Sequence, residues 1–389
     1  MAIPRLLICA LTGLTLVGCT LPAVKPASPP VPTATETATA TATGTGRPFS
    51  ITAVDRFNEP WAMTFLPGAD HLLITERGGA LLLRDQALGK TITVSGTPAV
   101  AHAGQGGLGD VIPGPNYATD KVIYLSWAES AESGTARAVV GRAVLETDGT
   151  TARLSGLNPI WQQSPATTGS GHFGHRLAIS PDGAHLFVSS GDRQKFDPAQ
   201  DLGSTLGKVL RLNLDGTPAA GNPFADRGLP TSEIWSYGHR NPLGLAFDPA
   251  GNLWDSEMGP RGGDEVNLIQ PGRNYGWPQA SNGSHYDGRD IPDHQPGDGF
   301  EAPGASWNPS ISPGSLIIYR GSWFPQWRGD AFVGALSGKA LIRIDLEGTT
   351  ATKAEHWDLG QRIREVEEAP DGTLWLLEDA NSGRLLHLT

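Results

Sequence analysis

Apolar and polar residues alternate in short runs along much of the chain, and Gly, Pro, Asn or Asp separate the runs. A period of two residues is typical of β-strands, and the intervening residue types are those that adopt turns. Two such runs around a Pro/Gly turn predict a β-hairpin. Clear copies are WAMTFLPGADHLLITE (61–76), LGDVIPGPNYATDKVIYLSW (108–127), LAISPDGAHLFVSSGD (177–192), LGLAFDPAGNLWDSEMG (243–259) and VEEAPDGTLWLLED (366–379), and WRGDAFVGALSGKALIRIDL (327–346) is a weaker one.

The six predicted hairpins are spaced in a way that indicates a repeat architecture. Their turns lie near residues 67, 113, 181, 249, 329 and 370, so successive hairpins are 41 to 80 residues apart. Units of this size predict an all-β fold, a six-bladed β-propeller with long loop insertions (193–240 and 259–326) at the mouth of its channel. The alternatives are a large β-sandwich and a two-domain β protein.

Composition agrees with this prediction and excludes several other classes of protein. The 389 residues include 50 Gly and 31 Pro, which leave little room for long helices. A hydrophobic fraction of 39% is sufficient for a buried core. The net charge of −11, without a run of Lys or Arg, argues against a nucleic-acid partner.

The N-terminal region has the pattern of a bacterial export signal. Residues 1–18 contain one charge and an apolar run, and Leu16-Val17-Gly18-Cys19 resembles the lipobox of bacterial lipoproteins. Residues 19–46 then combine a lipidated Cys19 with a flexible Pro/Ala/Thr-rich tether, and 47–389 form the catalytic domain. We therefore expect a periplasmic protein with a lipid anchor in the outer membrane; an ordinary signal peptide with a chance cysteine is the alternative.

The only other cysteine, Cys9, lies in the leader, so the predicted mature domain has no disulfide and no cysteine-ligated metal. The segment GQGGLG (104–109) matches the GxGxxG pattern, but a β-hairpin follows it where a dinucleotide site needs a helix. A tight turn that holds the Gln105 side chain over a cavity fits this segment better.

His172, in GHFGHRL (171–177), precedes a strand of the hairpin that ends at Asp192. Histidine is suited to accept a proton near neutral pH, and a carboxylate partner fixes its tautomer. The alternative is a solvated loop histidine.

Arginines supply the candidate anion-binding groups. Arg240 stands beside Asn241 at the entry to a strand, and Arg362 and Arg364 project from one face of an extended segment. Such a pair suits recognition of carboxylates, unless it only faces the neighbouring acids Glu365, Glu367 and Glu368. The segment EMGPRGGDE (257–265) offers the oxygen donors that Ca²⁺ prefers, although a turn with a solvated acidic edge is the alternative.

Several motifs occur in one order: GQGGLGD (104–110), GHFGHRLAISPDG (171–183), GHRNPLGLAFDP (238–249), EMGPRGGDEVNLI (257–269), NYGWP (274–278) and QRIREV (361–366). This set resembles the soluble dehydrogenases of the glucose/sorbosone dehydrogenase-like family, which depend on pyrroloquinoline quinone (PQQ). Within them it is most similar to the periplasmic aldose sugar dehydrogenases. The resemblance covers essentially all of 50–389 and implies a six-bladed propeller.

The resemblance implies a role for individual residues. His172 corresponds to the catalytic base, Asp192 to the carboxylate that orients it, and Arg240 to a group facing the reactive carbonyl of PQQ. The other cofactor contacts correspond to Gln105, Asn241, Tyr286, Ser337, Arg362 and Arg364. The carbonyls of Gly259 and Pro260 correspond to ligands of a Ca²⁺ that bridges protein and PQQ, and Glu265 with the Tyr275 carbonyl to a separate structural calcium site.

Two positions depart from the family pattern. Ser337 stands where relatives often have Lys, with Lys339 two residues on, and His175 stands where Gly is common. We expect the second change to alter the substrate entrance.

The implied activity is oxidation of an aldose at C1 to a lactone. His172 takes the anomeric hydroxyl proton, hydride passes to PQQ, and electrons then go to a quinone, a cytochrome or a dye. Two other functions remain open on the residues alone: a calcium-dependent lactonase-type propeller hydrolase, and a non-catalytic propeller that binds a partner on one face.

Overall fold

A computed structural model describes residues 46–68 and 70–389, and their fold is almost entirely β. The predicted leader and the tether up to residue 45 lie outside the described residues. Within the described part, no helix has the length and apolar character needed to cross a membrane. The prediction of an all-β fold is confirmed.

The strands form six antiparallel groups of four, here called sheets 1 to 6, together with one short pair. Strand β1 (Ile51–Phe57) belongs to sheet 6. Sheet 1 contains β2 (Pro60–Phe65), β3 (His71–Glu76), β4 (Leu81–Asp85) and β5 (Lys90–Ser95). Sheet 2 contains β6 (Leu108–Pro113), β7 (Val122–Ser130), β8 (Ala136–Thr147) and β9 (Ala152–Gln162). Sheet 3 contains β10 (Gly174–Ile179), β11 (His185–Ser190), β12 (Lys208–Asn213) and β13 (Ile234–Tyr237).

The second half continues in the same way. Sheet 4 contains β14 (Pro242–Phe247), β15 (Leu253–Glu257), β17 (Asp264–Ile269) and β19 (Ala305–Trp307), and the short pair is β16 (Arg261–Gly262) with β18 (Gly283–Ser284). Sheet 5 contains β20 (Pro313–Ile318), β21 (Ala331–Ala335), β22 (Ala340–Glu347) and β23 (Thr350–Asp358). Sheet 6 contains β24 (Ile363–Glu368), β25 (Leu374–Glu378) and β26 (Gly383–Leu388), and β26 pairs with β1.

Helices in the described part are short. One α-helix, Tyr117–Asp120, lies between β6 and β7. The 3₁₀ turns span Glu132–Gly134, Asp197–Ala199, Ala225–Arg227, Thr231–Glu233 and Pro325–Trp327.

The six sheets are arranged as a ring. The first strand of each sheet contacts the first strand of the next, and β24 of sheet 6 contacts β2 of sheet 1. One buried apolar cluster lies between each pair of neighbouring sheets. Sheets 1 and 2 are also joined at their outer edges, where β5 pairs in parallel with β9.

Burial along the strands differs from the simple alternation of the sequence. The inner strands β3, β15 and β21 are buried at nearly every position, whereas β23 is largely exposed with few buried positions. A sheet between two neighbours buries both of its faces, so polar residues of the inner strands are enclosed as well. Only outer strands keep a solvent-facing side.

This arrangement explains why distant motifs come together. In an antiparallel sheet, the start of the first strand and the end of the second lie at the same edge. His172 and Asn241 come just before β10 and β14, whereas Asp192 and Pro260 come just after β11 and β15. The predicted site residues therefore collect at one end of the ring.

Candidate active site

His172 and Asp192 form a buried pair at this end of the ring. The His172 Nδ1 atom lies 2.7 Å from Asp192 Oδ1, and the indole N–H of Trp277 donates to Asp192 Oδ2 at 2.8 Å. The backbone of His172 has a φ of 50°, a left-handed conformation that L-residues rarely adopt. Its N–H donates to Gln105 Oε1 at 2.8 Å, so the Gln105 turn helps to hold this conformation. The pairing predicted from the sequence is present.

Electrostatics keeps this pair as a neutral imidazole beside a carboxylate. Burial lowers the pKa of the His172 imidazole below its ordinary value, and the hydrogen bond to Asp192 offsets part of that effect. Burial also opposes ionisation of Asp192, but His172 and Arg240 overcome this effect and hold the pKa of its carboxyl below the ordinary range. With Nδ1 engaged by the carboxylate, Nε2 is the nitrogen left to accept a proton.

Arg240 lies beside this pair with its guanidinium packed among aromatic rings. Its guanidinium carbon is 5.2 Å from the centre of the Trp277 ring and 5.9 Å from that of Tyr286. One terminal nitrogen donates to the Met258 carbonyl at 2.8 Å, and Nε has no partner among the described residues. The next residue, Asn241, is fully buried, and its Oδ1 accepts the Gly174 N–H at 3.2 Å.

Two neighbouring cavities open at this end of the ring, and both are lined by Gln105 and Met258. The larger, of about 570 Å³, is lined by His172, Arg240, Gly259, Pro260, Tyr286 and Ser337, among others. The smaller, of about 200 Å³, is lined by His175, Asn241, Arg362, Arg364 and Asp379, among others. Nearly all the predicted catalytic and cofactor residues therefore line one composite cavity.

Arg362 and Arg364 share one carboxylate partner, Asp379. Arg362 Nε donates to Asp379 Oδ2 at 2.7 Å, and Arg364 donates to Oδ1 at 3.0 Å. The two guanidinium groups thus lie on the same side of the chain at the start of β24, as the alternation of the sequence predicts. Their acid is Asp379, just after β25, and not the adjacent Glu365, Glu367 or Glu368.

Gly259 and Pro260 lie in a loop braced by Asp264. One Asp264 oxygen accepts the Gly259 N–H at 2.8 Å, and the other accepts the N–H groups of Ile311 and Ser312. In the part of the chain that the structure describes, neither carbonyl of Gly259 or Pro260 accepts a backbone hydrogen bond. These two oxygens remain free to coordinate a hard cation.

Comparison with known proteins decides the family. A family model described as Glucose / Sorbosone dehydrogenase matches residues 57–387. Aldose sugar dehydrogenase YliI from Escherichia coli (strain K12) is 39% identical over 341 residues, which span 86% of this chain and 91% of that protein. The chain belongs to the glucose/sorbosone dehydrogenase family. It is an oxidoreductase that acts on sugar donors.

Solved structures agree with this membership. The apo-form of the soluble aldose sugar dehydrogenase from Escherichia coli has a TM-score of 0.83 at 38% identity, and the match covers 88% of this chain and 99% of that one. The PQQ-bound form of aldose sugar dehydrogenase from Streptomyces coelicolor has a TM-score of 0.72 at 30% identity, covering 88% and 98%. The fold of this family member is a β-propeller.

The two positions that depart from the family pattern, Ser337 and His175, have different surroundings in this dehydrogenase. Ser337 lines the larger cavity, and its hydroxyl lies 2.9 Å from Ser312 Oγ. His175 is buried and stacked on Trp61 with ring centres 5.0 Å apart, and Gly109 leaves the space for its ring. Burial lowers the pKa of His175 to about 3. His175 therefore lines the smaller cavity as a buried side chain, and its effect on the substrate entrance stays a prediction.

Glu265 and Tyr275 line a separate small cavity of about 10 Å³, which Glu257 also borders. A space of this size holds one water molecule or one ion. Glu265 is 6% exposed.

Trp277, Asp264 and Asp379 are the functional residues that sequence reasoning did not single out. Trp277 lies in the motif NYGWP and Asp264 in the motif EMGPRGGDEVNLI. The sequence therefore shows both motifs, but it does not show the roles of these two residues.

Proposed function

We propose that this protein oxidises aldose sugars at C1 to lactones, with PQQ and Ca²⁺ as cofactors. The observation that carries this proposal is the His172–Asp192 pair at a cavity that also presents Arg240, Arg362 and Arg364. A base with a fixed tautomer suits removal of a hydroxyl proton. The three arginines suit an anionic cofactor with several carboxylates.

The residues present fit PQQ and a calcium ion. The cofactor has three carboxylates and an ortho-quinone, and the cavity offers guanidinium groups together with the amides of Gln105 and Asn241. The buried Nε–H of Arg240 lacks a partner among the described residues, which fits a group that meets an anionic ligand. The free carbonyls of Gly259 and Pro260 are the type of donor that Ca²⁺ prefers.

Each residue would then have a defined task. Arg362, Arg364, Gln105, Asn241, Tyr286 and Ser337 would hold the cofactor, and Gly259 with Pro260 would hold the calcium. Bound PQQ supplies a two-electron acceptor, and Ca²⁺ a Lewis acid at its reactive carbonyl. His172 Nε2 accepts the proton of the sugar's anomeric hydroxyl. Asp192 fixes the imidazole through Nδ1 and stabilises the positive charge that forms on it, and Arg240 offers a fixed positive charge to developing negative charge.

The remaining features of the proposal follow the family resemblance. The six sheets would be the six blades of the propeller, and Glu265 with the Tyr275 carbonyl would bind a structural calcium. Electrons would pass to a quinone or cytochrome acceptor. The lipobox pattern supports a periplasmic enzyme anchored by lipid at Cys19, which incorporation of labelled fatty acid into wild type but not into Cys19→Ser would test.

Reconstitution of the metal-free protein tests the activity. We expect no aldose oxidation with a dye acceptor until both PQQ and Ca²⁺ are added, and a lactone as the product. A lactone substrate incubated without PQQ is the matched control. Hydrolysis of that lactone with no oxidation of any aldose would overturn the proposal in favour of a lactonase-type hydrolase.

A further inference from the structure

Three ionisable side chains converge inside sheet 4, away from the residues that line the cofactor cavities. Asp255 and Glu257 lie two residues apart on β15, and His239 lies just before β14. One ligand atom from each of the three lies within 4.8 Å of the other two. His239 and Asp255 are fully buried, and Glu257 is 3% exposed. Neither His239 nor Asp255 has a role in the mechanism proposed above.

Hydrogen bonding leaves most of the facing atoms of this triad without partners, whereas Glu257 Oε1 accepts a hydrogen bond from the Asn267 amide at 3.3 Å. His239 Nε2 lies 2.8 Å from Ser236 Oγ, whereas Nδ1 faces Asp255 Oδ2 at 3.6 Å and Glu257 Oε1 at 3.5 Å. His239 Nδ1 and both Asp255 oxygens have no hydrogen-bond partner among the described residues. Metal-binding histidines commonly form a hydrogen bond through the ring nitrogen that does not bind the metal. Here that nitrogen is His239 Nε2, and its partner is Ser236 Oγ.

Burial makes this arrangement costly unless a positive charge joins it. Asp255 and Glu257 are two carboxylates in a water-excluded interior, and Glu265 lies opposite Glu257 on β17. The Arg240 guanidinium donates to the Met258 carbonyl, and the backbone N–H of Arg240 donates to Glu257. Buried charges are stable when they are paired or bound to a metal.

We propose that His239 Nδ1, Asp255 and Glu257 bind one divalent cation. One imidazole and two carboxylates form a mixed nitrogen and oxygen donor set, which suits Mn²⁺ or Zn²⁺ better than Ca²⁺. The site is adjacent to the calcium site implied at Glu265 and the Tyr275 carbonyl, because Glu257 borders the same small cavity, but its ligand set differs from that site and from the one at Gly259 and Pro260. It requires two residues, His239 and Asp255, that belong to neither.

The cation would fix the segment just before β14, which carries Arg240 and Asn241, to β15. Glu257 Oε2 accepts the backbone N–H of Arg240 at 2.8 Å, and the Asn241 carbonyl accepts the N–H of Met258 at 3.2 Å. A metal bound by Glu257 and His239 would therefore hold both β15 and the segment just before β14 in place. The site is structural, and it does not depend on which reaction the enzyme catalyses.

Mn²⁺ binding to the full-length metal-free protein, without PQQ, tests the site. Pulsed electron paramagnetic resonance of the Mn²⁺ complex should show ¹⁴N coupling from an imidazole ligand. His239→Gln should abolish this coupling. His294→Gln should retain it, although His294 Nε2 lies 3.9 Å from Glu265 Oε1 and is the matched nearby histidine. Absence of ¹⁴N coupling in the wild type, or its retention in His239→Gln, would overturn the proposal.

Metal content and thermal unfolding give a second measurement. Asp255→Asn should bind one Mn²⁺ fewer per chain, whereas Asp226→Asn, an exposed carboxylate distant in sequence, should not. At a free Mn²⁺ concentration of about one hundred times the dissociation constant, the wild type should gain about 4 °C in Tm. Asp255→Asn should lose most of that gain and still fold, because asparagine has nearly the same shape and removes no apolar contact. Equal Mn²⁺ content and equal Tm gains in the two variants would show that the triad is only a hydrogen-bonded cluster.

Discussion

His172 is the proposed general base, and Asp192 is the residue that orients it through a hydrogen bond. Removal of a general base typically costs about 10²–10⁴-fold in rate. We therefore expect His172→Ala to lose that much kcat and still bind PQQ. Asp192→Asn should lose less, because the base remains and only its orientation and basicity change. Single-turnover reduction of bound PQQ by an aldose, followed by absorbance, measures both effects. A near-normal rate in His172→Ala would remove this residue from the mechanism.

The surroundings of His172 also set the pH dependence. Burial lowers the pKa of its imidazole below the ordinary value of 6.5, so the neutral base persists into more acidic solution. The acid limb of kcat/KM should accordingly lie below pH 6.5. Asp192 raises the pKa of His172, so Asp192→Asn should move this limb to a still lower pH. A limb that moves to higher pH in the variant would contradict the assigned pairing.

Arg362, just before β24, and Arg364, on β24, should differ in their effect on cofactor binding. The Arg364 side chain is 12% exposed, whereas that of Arg362 is 45% exposed. A charge-assisted hydrogen bond is worth more where water is excluded. Arg364→Ala should weaken PQQ binding by about 10- to 100-fold, and Arg362→Ala should have a smaller effect. Titration of the metal-reconstituted protein with PQQ gives both affinities, and the reverse order would contradict this interpretation.

The loop between β11 and β12, residues 191–207, connects Asp192 to the rest of the site. Lys208, at the start of β12, is fully buried, and its ammonium donates to the carbonyls of Pro198, Ala199 and Leu206. Gln200 in the same segment donates to the Trp277 carbonyl at 2.7 Å. The buried Lys208 side chain therefore connects this loop to β12, the strand that follows it.

Replacement of Lys208 by Met should loosen this loop without opening the sheets. The variant leaves three carbonyls without their donor, so we expect faster proteolysis within residues 193–207 and a lower kcat/KM. The sheets should remain folded, because Lys208→Met keeps an aliphatic chain of similar length. Limited proteolysis with mass mapping measures this effect. An unchanged cleavage pattern together with unchanged kinetics would contradict the role given to Lys208.

The hairpins were the most predictable part of the fold, because each carries its own signal in a contiguous stretch. The repeat at 61–76 spans all of β2 but its first residue together with β3, and that at 366–379 spans the second half of β24 with β25. The His172–Asp192 pair could be inferred because both residues flank one hairpin. Asp379 could not, since nothing in the sequence near the arginines shows that β25 brings this carboxylate to them. Trp277 reaches Asp192 from a loop of another sheet, a contact that only the closed ring determines.

The proposed calcium ion would affect the whole molecule. It would link the loop of sheet 4 that carries Gly259 and Pro260 to PQQ, which residues of several sheets would hold. We expect exhaustive chelation to lower both Tm and the PQQ-dependent rate, and added Ca²⁺ to restore the rate. A ligand that binds only the native state adds stability by mass action. Calorimetry and dye assays on the same samples measure the two responses. No change in either quantity would argue against calcium at Gly259 and Pro260.

The pairing of β1 with β26 closes the ring with the two ends of the described chain. Ile51 pairs with Leu388, so the first strand to emerge during synthesis must wait for the last one before it has a partner. A truncation that removes β26 would leave β1 without its partner strand and β25 paired only with β24. Unpaired edges promote aggregation. The seam therefore makes sheet 6 depend on residues from both ends of the described part, so that loss of β26 would expose the backbone groups of β1 and of one side of β25 to pairing with other chains.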